Sequence, residues 1–505
     1  MKVVLPENLD LSVLTSRYKP NFCFKLDRCK YILNLLAERP AYDRRLREST
    51  DDNPYVPLSA AIMVHQVRDY QHYLRYLVET GVLECDGRYE VGRKCKGYRY
   101  SETYRTKPTT DQITNLRLIA SNQKWVSRVN QPALESYPVL LPWLDGLELD
   151  EQAALARIEL DYEKSLSSTH TQAKNRAYVR YMARLGMINR FAHNPAICRI
   201  DDKAYRLHTK LTNFWSELRP CLTYKGHPLI AVDLSCSQPY LATVLLQDFF
   251  YDGNEANGRI TISQLPSAIQ GRLHTKPTIL TAYQSNLIEA ELVGQHPPYS
   301  PFHPPSPNPA SQPIPHPSLM LAFSMSKQAF EQEFHLFRTS VEEGRLYDKL
   351  GEYIQVKLGK TITNRQQLKD IMFSIFFSDN NATENFIIRA CTIFSATFPL
   401  IYNIFRELKA ESNSDLAILL QAIEAELFLN RIAKRISREK PQLPIFTLHD
   451  SIVTLDGYEA YVEEVMRDEL TKAIGIIPHF KREEWGTQLS ETVIPVQQPS
   501  GIDAN

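Results

Sequence analysis

The stretch from Leu229 to Leu246 constrains this chain more than any other. An apolar run, Leu229-Ile230-Ala231-Val232, reads as a short buried strand. It delivers one carboxylate, Asp233, at its exit. Small polar residues follow, and then Tyr240 to Leu246 is apolar at helical spacing. A strand that ends in an acid and turns into a helix holds that acid on a rigid element. There it serves either as a helix N-cap or as a metal ligand. The choice between the two depends on what the rest of the chain brings to it.

The bounds are broad. A chain of 505 residues has room for several domains, and 43% hydrophobic with 23% charged residues is ordinary for a globular protein. The formal net charge is zero, so any surface for nucleic acid must be local. Eight cysteines are scattered without CxxC pairs or zinc-like spacing to His, which fits free thiols in a reducing compartment. No apolar run is long enough to span a bilayer, and the N-terminus lacks a signal-peptide core. The expected compartment is the cytoplasm, with no membrane partner.

Residues 1 to 107 read as an N-terminal nucleic-acid-binding domain. Within it, residues 55 to 81 carry two short helical patterns, with Val67, Tyr70, Leu74, Leu77 and Val78 facing a core and Gly81 past the helix end. Two alternating runs follow and predict a β-hairpin, studded with Arg88, Arg93, Lys94, Lys96 and Arg99 between Tyr89, Tyr98 and Tyr100. Helix, helix, hairpin is the order of a winged helix, which this stretch resembles. A basic, aromatic hairpin suits phosphate contacts and stacking, although such modules also serve as protein adaptors. Residues 108 to 195 form a connector. From residue 151 it reads as two charged amphipathic helices joined at Ser167-Ser168-Thr169, with Arg176, Arg180 and Arg184 on one face. That stripe reads as a solvated face or as a rest for a duplex backbone.

Two further features accompany Asp233 in residues 196 to 490. In TITNRQQLKDIMFSIFFSDNN, Arg365, Lys369, Phe373 and Phe377 stand four apart and so form a line along one helix face. Two cations followed by two rings match a nucleotide, with phosphates at one end and base at the other. The plain alternative is an amphipathic helix with core rings and solvated charges. In LPIFTLHDSIVTLDG, two apolar strand-like runs flank His449-Asp450-Ser451, placing Asp450 at a hairpin tip.

RLHTKLTN at 206 to 213, Asp233, the Arg365–Phe377 line, Gln421 and LHDS at 448 to 451 occur in an order that resembles the right-hand polymerases of family A and the phage-type single-subunit RNA polymerases. The resemblance covers most of residues 196 to 490. It implies an α+β fold with a polymerase palm and helical fingers, beside the small winged-helix N-terminal domain and a helical, thumb-like connector. It further implies template-directed nucleotide transfer onto a primer 3′-hydroxyl, with primer–template and nucleoside triphosphates as partners. Two Mg2+ ions, or Mn2+ in their place, would be held by Asp233, Asp450 and the carbonyl of Leu234. Arg365 and Lys369 would grip phosphates, with Lys369 also donating a proton to the leaving group. Phe373, Phe377 and Gln238 would line the nucleotide site, and Arg206, Asn213, Gln421 and His449 would touch the primer–template.

The chain departs from the family pattern in three places. Gln238 stands where the DNA enzymes carry Glu, Phe377 where Tyr is usual, and Ser378 where Gly follows it. The HDS triplet resembles the RNA-polymerase branch, whereas RLxxxxxN and DLSCSQ resemble the DNA branch. The reading leans to deoxynucleotides, with an RNA polymerase or primase as one rival and a DNA-binding initiator with an inactive core as the other. The basic N-terminal module suggests replication of a mobile element, plasmid or phage. No phosphate-binding GxxxxGK[ST] loop is present, and no acid cluster for a proofreading exonuclease precedes residue 196. Residues 296 to 318 are Pro-rich and read as an extended insertion, and 491 to 505 as a loose tail.

Overall fold

The computed structural model describes residues 1–47, 49, 51, 53–90, 93–251, 253, 256–272, 317–359, 362 and 364–486. The Pro-rich insertion up to residue 316 and the tail lie outside them. Pro317 and Ser318, expected in the insertion, instead open the helix Pro317–Glu342. The chain is α+β, with short antiparallel sheets set among many helices. One buried apolar cluster runs from Val3 to Trp485.

At the N-terminus, β1 (Lys2–Pro6) pairs antiparallel with β5 (Pro108–Gln112), so this ladder crosses residue 107. Between them, β2 (Val56–Pro57), β3 (Leu83–Cys85) and β4 (Gly97–Tyr100) form a sheet of order β2-β4-β3. β2 precedes the helices Ala60–Gln66 and Tyr70–Glu79, and β3 and β4 follow them. Gly81 ends the second helix at φ 74°, a left-handed conformation in which a side chain would be strained.

The hairpin differs from its sequence pattern in chemistry. Tyr98 and Tyr100 are core residues. Arg99 is held by Glu84 at 2.8 Å and lies over the Tyr55 ring, and Lys94 reaches Asp86 at 3.5 Å. Arg88, Tyr89, Arg93 and Lys96 stay exposed. Alternation along a strand explains the sorting: the ring face packs inward and leaves Arg99 on the other side.

The connector helices are Glu151–Ser167 and Thr171–His193, and the second packs on the helix Leu26–Tyr42 and on β1. The arginine stripe is not a solvated face. Arg184 is 4% exposed, bonded to Asp161 at 3.0 Å and Glu217 at 3.1 Å, and lies over Trp215. Arg176 donates to the Ser49 carbonyl, and Arg180 alone of the three is exposed. Two short ladders follow, β6 (Leu147–Leu149) with β9 (Leu222–Tyr224) and β7 (Arg199–Ile200) with β8 (Leu207–His208).

The sheet that carries the acids has four antiparallel strands in the order β11 (Ile445–Leu448), β12 (Ser451–Leu455), β10 (Leu229–Leu234) and β13 (Phe480–Trp485). β10 is central and apolar on both faces until Asp233, as expected for a strand covered on both sides. The helix Glu459–Ile474 packs against β10 and β12. Helices Leu346–Leu358, Arg365–Phe377, Asn385–Thr397 and Pro399–Leu408 form a separate layer that packs largely on itself. No helix among the described residues is long and apolar enough to cross a membrane.

Candidate active site

Register brings the two acids together. Asp233 pairs with Ser451 across β10 and β12, and the Leu234 N–H donates to the Asp450 carbonyl at 3.1 Å. β11 and β12 are joined by His449-Asp450 alone, so the second acid sits on a two-residue turn beside the end of β10. Among the described residues, three of the five non-glycine residues at positive φ lie here: Tyr205 at 59°, Cys236 at 53° and His449 at 57°. Each position costs on the order of 1 kcal/mol or more, and such strain concentrates where side chains must be aimed.

The electrostatics are those of acids short of counter-charge. Burial, then the nearby Asp450 carboxylate, pushes the Asp233 carboxyl up to about 7, while Lys481 and Arg219 pull it back. Burial also raises Asp450, against pulls from its own backbone, Ser237, Arg206 and Arg219. The buried Ser237 Oγ has no hydrogen-bond partner of good geometry, yet it is close enough to act on that carboxylate. Burial holds the His449 imidazole down at about 4, with Arg206, His208 and Arg219 adding to it, so it is neutral at pH 7. Its ring meets His208 edge to face at 5.8 Å.

The helix Arg365–Phe377 begins at Arg365 itself, capped by Asn364, whose side chain accepts from the Gln366 N–H. The positive end of the helix dipole therefore adds to the two cations. Arg365 and Lys369 both act on the Cys236 thiol, on the turn that follows Asp233, and so this end of the helix faces that turn. Arg365 also lies over the Tyr347 ring at 5.9 Å. Phe373 and Phe377 are 45% and 38% exposed and stack on each other at 5.6 Å, which decides against the reading of both as core.

The far end of this helix is fixed by Lys409, which is 4% exposed. Its Nζ donates to the Ile375 and Ser378 carbonyls at 2.8 and 2.9 Å. A buried cation there satisfies terminal carbonyls and complements the dipole. Lys409→Met leaves both carbonyls bare and is expected to cost about 2–4 kcal/mol, read by denaturant unfolding.

Sequence reasoning missed two residues. Glu424 is buried on the helix Asp415–Ala425. It accepts from Arg206 at 2.7 Å and from the Gln238 amide at 3.2 Å, so Arg206 and Gln238 are joined through it. Burial lifts its carboxyl well above the usual range, with Asp450 adding to this and Arg206 opposing it. A π-helical stretch, Glu426–Ala433, follows directly. Arg219, over the Trp485 ring at 5.6 Å, acts on both Asp233 and Asp450. Neither Glu424 nor Arg219 sits in a recognisable motif, and a buried Glu in LLQAIEAELFL carries no local signal. Gln421 lies half-buried one turn before Glu424, and Asn213 is exposed with its amide on the Thr209 carbonyl.

Several polar atoms around the acids are buried without partners: Ser235 Oγ, Ser237 Oγ, Gln238 Oε1, Glu424 Oε1, Arg206 Nε and Arg219 Nε. Such atoms are costly unless something else satisfies them. Among the described residues, no group of three or more His, Cys, Asp and Glu side chains converges on one point. Side-chain ligands here amount to two carboxylates. That set fits a hard cation such as Mg2+, which takes one or two carboxylates and completes its shell with water, carbonyl and phosphate oxygens.

No family model matches the chain, and no curated protein does. Among solved structures, the POL domain of Pol1 from M. smegmatis, in complex with DNA primer-template and dNTP, aligns over 73% of each chain at 12% identity, with a TM-score of 0.29. At that TM-score the match does not place one chain's residues on the other's.

Proposed function

We propose that this chain is a template-directed nucleotidyltransferase that extends a primer 3′-hydroxyl. The observation that carries it is the meeting of Asp233 and Asp450 at one end of a sheet, with the cationic end of the Arg365–Phe377 helix turned to the loop after Asp233. In this reading Arg365 and Lys369 bind the triphosphate, and Lys369 protonates the departing pyrophosphate. Phe373 and Phe377 offer ring faces to the base. Neutral His449, beside Asp450, contacts the primer end without adding charge to it, together with Asn213 and Gln421. Glu424 fixes Arg206 and Gln238, which makes both positioning residues for the sugar and primer. Asp233 and Asp450, with the Leu234 carbonyl, hold Mg2+ or Mn2+. When bound, these ions supply the charge that lowers the 3′-hydroxyl pKa and neutralises the triphosphate. The exposed Arg88, Arg93 and Lys96 of the N-terminal hairpin engage duplex phosphates, a fit for an enzyme that replicates a mobile element.

Gln238 supports a second reading in which ribonucleotides are used. Its Nε2 is tied to Glu424 while Oε1 is buried with no partner, an acceptor that a ribose 2′-hydroxyl would satisfy. The test is extension of primed and unprimed templates with deoxy- or ribonucleotides in the presence of Mg2+. Primer-dependent incorporation of deoxynucleotides is expected. Incorporation of ribonucleotides only, or starts without primer, moves the assignment to an RNA polymerase or primase. No incorporation under any condition leaves a nucleic-acid-binding protein.

A further inference from the structure

Away from the acids, a cavity of about 430 Å³ opens between the helices Leu26–Tyr42, Leu116–Ser136 and Thr171–His193 and the 208–214 segment. The volume lies within the ~300–1,000 Å³ range of small-molecule sites. Its wall carries four Arg and Lys side chains against a single carboxylate, Glu38. Arg190 engages that carboxylate at 2.7 Å. Arg39, Arg199 and Lys210 remain as an excess of positive charge on the wall itself, with Asp43 acting on Arg39 and Asp145 on Lys210 from outside it. Lys210 is half-buried over the Phe191 ring at 4.6 Å, and burial pushes its ammonium pKa down. An anion that displaced water there would favour the charged form.

The same wall is rich in rings, including half-buried Trp125 and the exposed Tyr42, whose ring lies under Arg190. It also includes Asn194, whose buried Oδ1 has no hydrogen-bond partner. Cations, ring faces and an unmet acceptor together match three parts of one chemical unit: phosphate, base and a base or sugar donor. His208 lines the cavity and also touches His449, so the cavity adjoins the proposed active site. Most of its wall comes from residues before 196, where the polymerase resemblance does not reach.

We infer that this cavity binds a nucleotide unit, its phosphate on Arg39, Arg199 and Lys210 and its base against Trp125, at a distance from the acids. The inference deepens the polymerase reading and rests on it for biological purpose, but binding itself needs no catalysis. The unit belongs either to a nucleic-acid strand or to a free nucleotide.

The experiment uses the full chain in EDTA. It measures fluorescence anisotropy of a labelled single-stranded oligonucleotide and of a labelled nucleoside triphosphate. The proteins compared are wild type, Arg39→Glu and Trp125→Ala, each checked for folding by circular dichroism. Trp125→Ala should weaken binding roughly 5- to 100-fold. Arg39→Glu should weaken it similarly and reduce the salt slope by about one. Loss confined to the oligonucleotide identifies a strand, and loss confined to the triphosphate identifies a free nucleotide; either supports the site. Unchanged binding by folded Trp125→Ala overturns it, even if Arg39→Glu is weak, because a charged patch alone would then explain the data. Binding that follows this pattern without primer extension would keep the cavity site and remove the polymerase reading. Primer extension with both cavity variants binding as wild type would do the reverse.

Discussion

Asp450→Asn is expected to abolish primer extension, lowering kcat by ~10³-fold or more, while making the metal-free protein more stable above neutral pH. The two effects share one cause. Both acids are raised by burial, and Asp233 also by the Asp450 carboxylate, which is useful for holding cations and costly without them. Asp233→Asn should behave in the same way. A carboxyl whose folded-state pKa is raised keeps a proton that the unfolded chain releases. Its effect on stability is therefore absent below about pH 4, the unfolded value, and the loss grows as pH rises through 7. For Asp233 that window ends near its folded value of about 7. His449 acts oppositely, since its folded pKa of about 4 lies below the unfolded one. The stability it contributes is complete above about pH 6.5 and is lost as pH falls towards 4. Comparing pH 6.5 with 8.5 thus keeps His449 out of the measurement. In EDTA, the wild type should melt at a lower temperature at pH 8.5 than at 6.5, a fall that the raised Glu424 carboxyl shares. Asp233→Asn should remove only its own part of that slope, and Mg2+ should raise the wild-type melt more than the variant's. An Asn variant that still synthesises would remove the acids from the chemistry. One that melts lower at pH 8.5 would show that they are not crowded.

Much of this site could be read along the chain because its parts are local patterns. A strand ending in Asp233, a hairpin tip at Asp450 and a four-residue line on the Arg365–Phe377 helix are each written within about twenty consecutive residues. The structure then sets them side by side through the β10–β12 register. What could not be read are groups whose meaning comes only from distant partners. Glu424 acquires its role from Arg206, 218 positions away, and Arg219 from the acids and Trp485. Spacing misled where burial overrode it. Arg184, on a stripe that reads as solvated, is a core residue because Asp161 and Glu217 come in from other segments to satisfy it. Tyr98 and Tyr100, which read as a stacking surface, pack inward because their side of β4 faces the core.

The second large effect belongs to the buried Arg206–Glu424 pair. Glu424 is 2% exposed and Arg206 17% exposed at the side chain, so the contact is shielded from water and salt. Removing one partner of such a pair leaves the other charge uncompensated, at a cost of about 3–5 kcal/mol, whereas replacing both with apolar groups is often neutral. Arg206→Met should therefore destabilise strongly. It should do so more at high pH than at low pH, because a bare Glu424 escapes its penalty by protonating, and its carboxyl is already raised by burial. Glu424→Gln keeps the shape and the link to Gln238 and stands in for the protonated carboxyl that burial favours. Arg206 therefore meets at pH 6 much the same neutral partner as in the wild type, and the cost should be well below that of Arg206→Met. The double variant Arg206→Met/Glu424→Leu should recover most of the stability lost by Arg206→Met alone, a coupling that a double-mutant cycle in urea measures directly. Function should not recover with it. Without Glu424 the Gln238 amide loses its anchor, so discrimination between deoxy- and ribonucleotides should fall in the double variant while its unfolding midpoint returns. Recovery of both together would mean that the pair is a packing feature only. Recovery of neither would mean that Glu424 is needed for the fold of the helix Asp415–Ala425 itself.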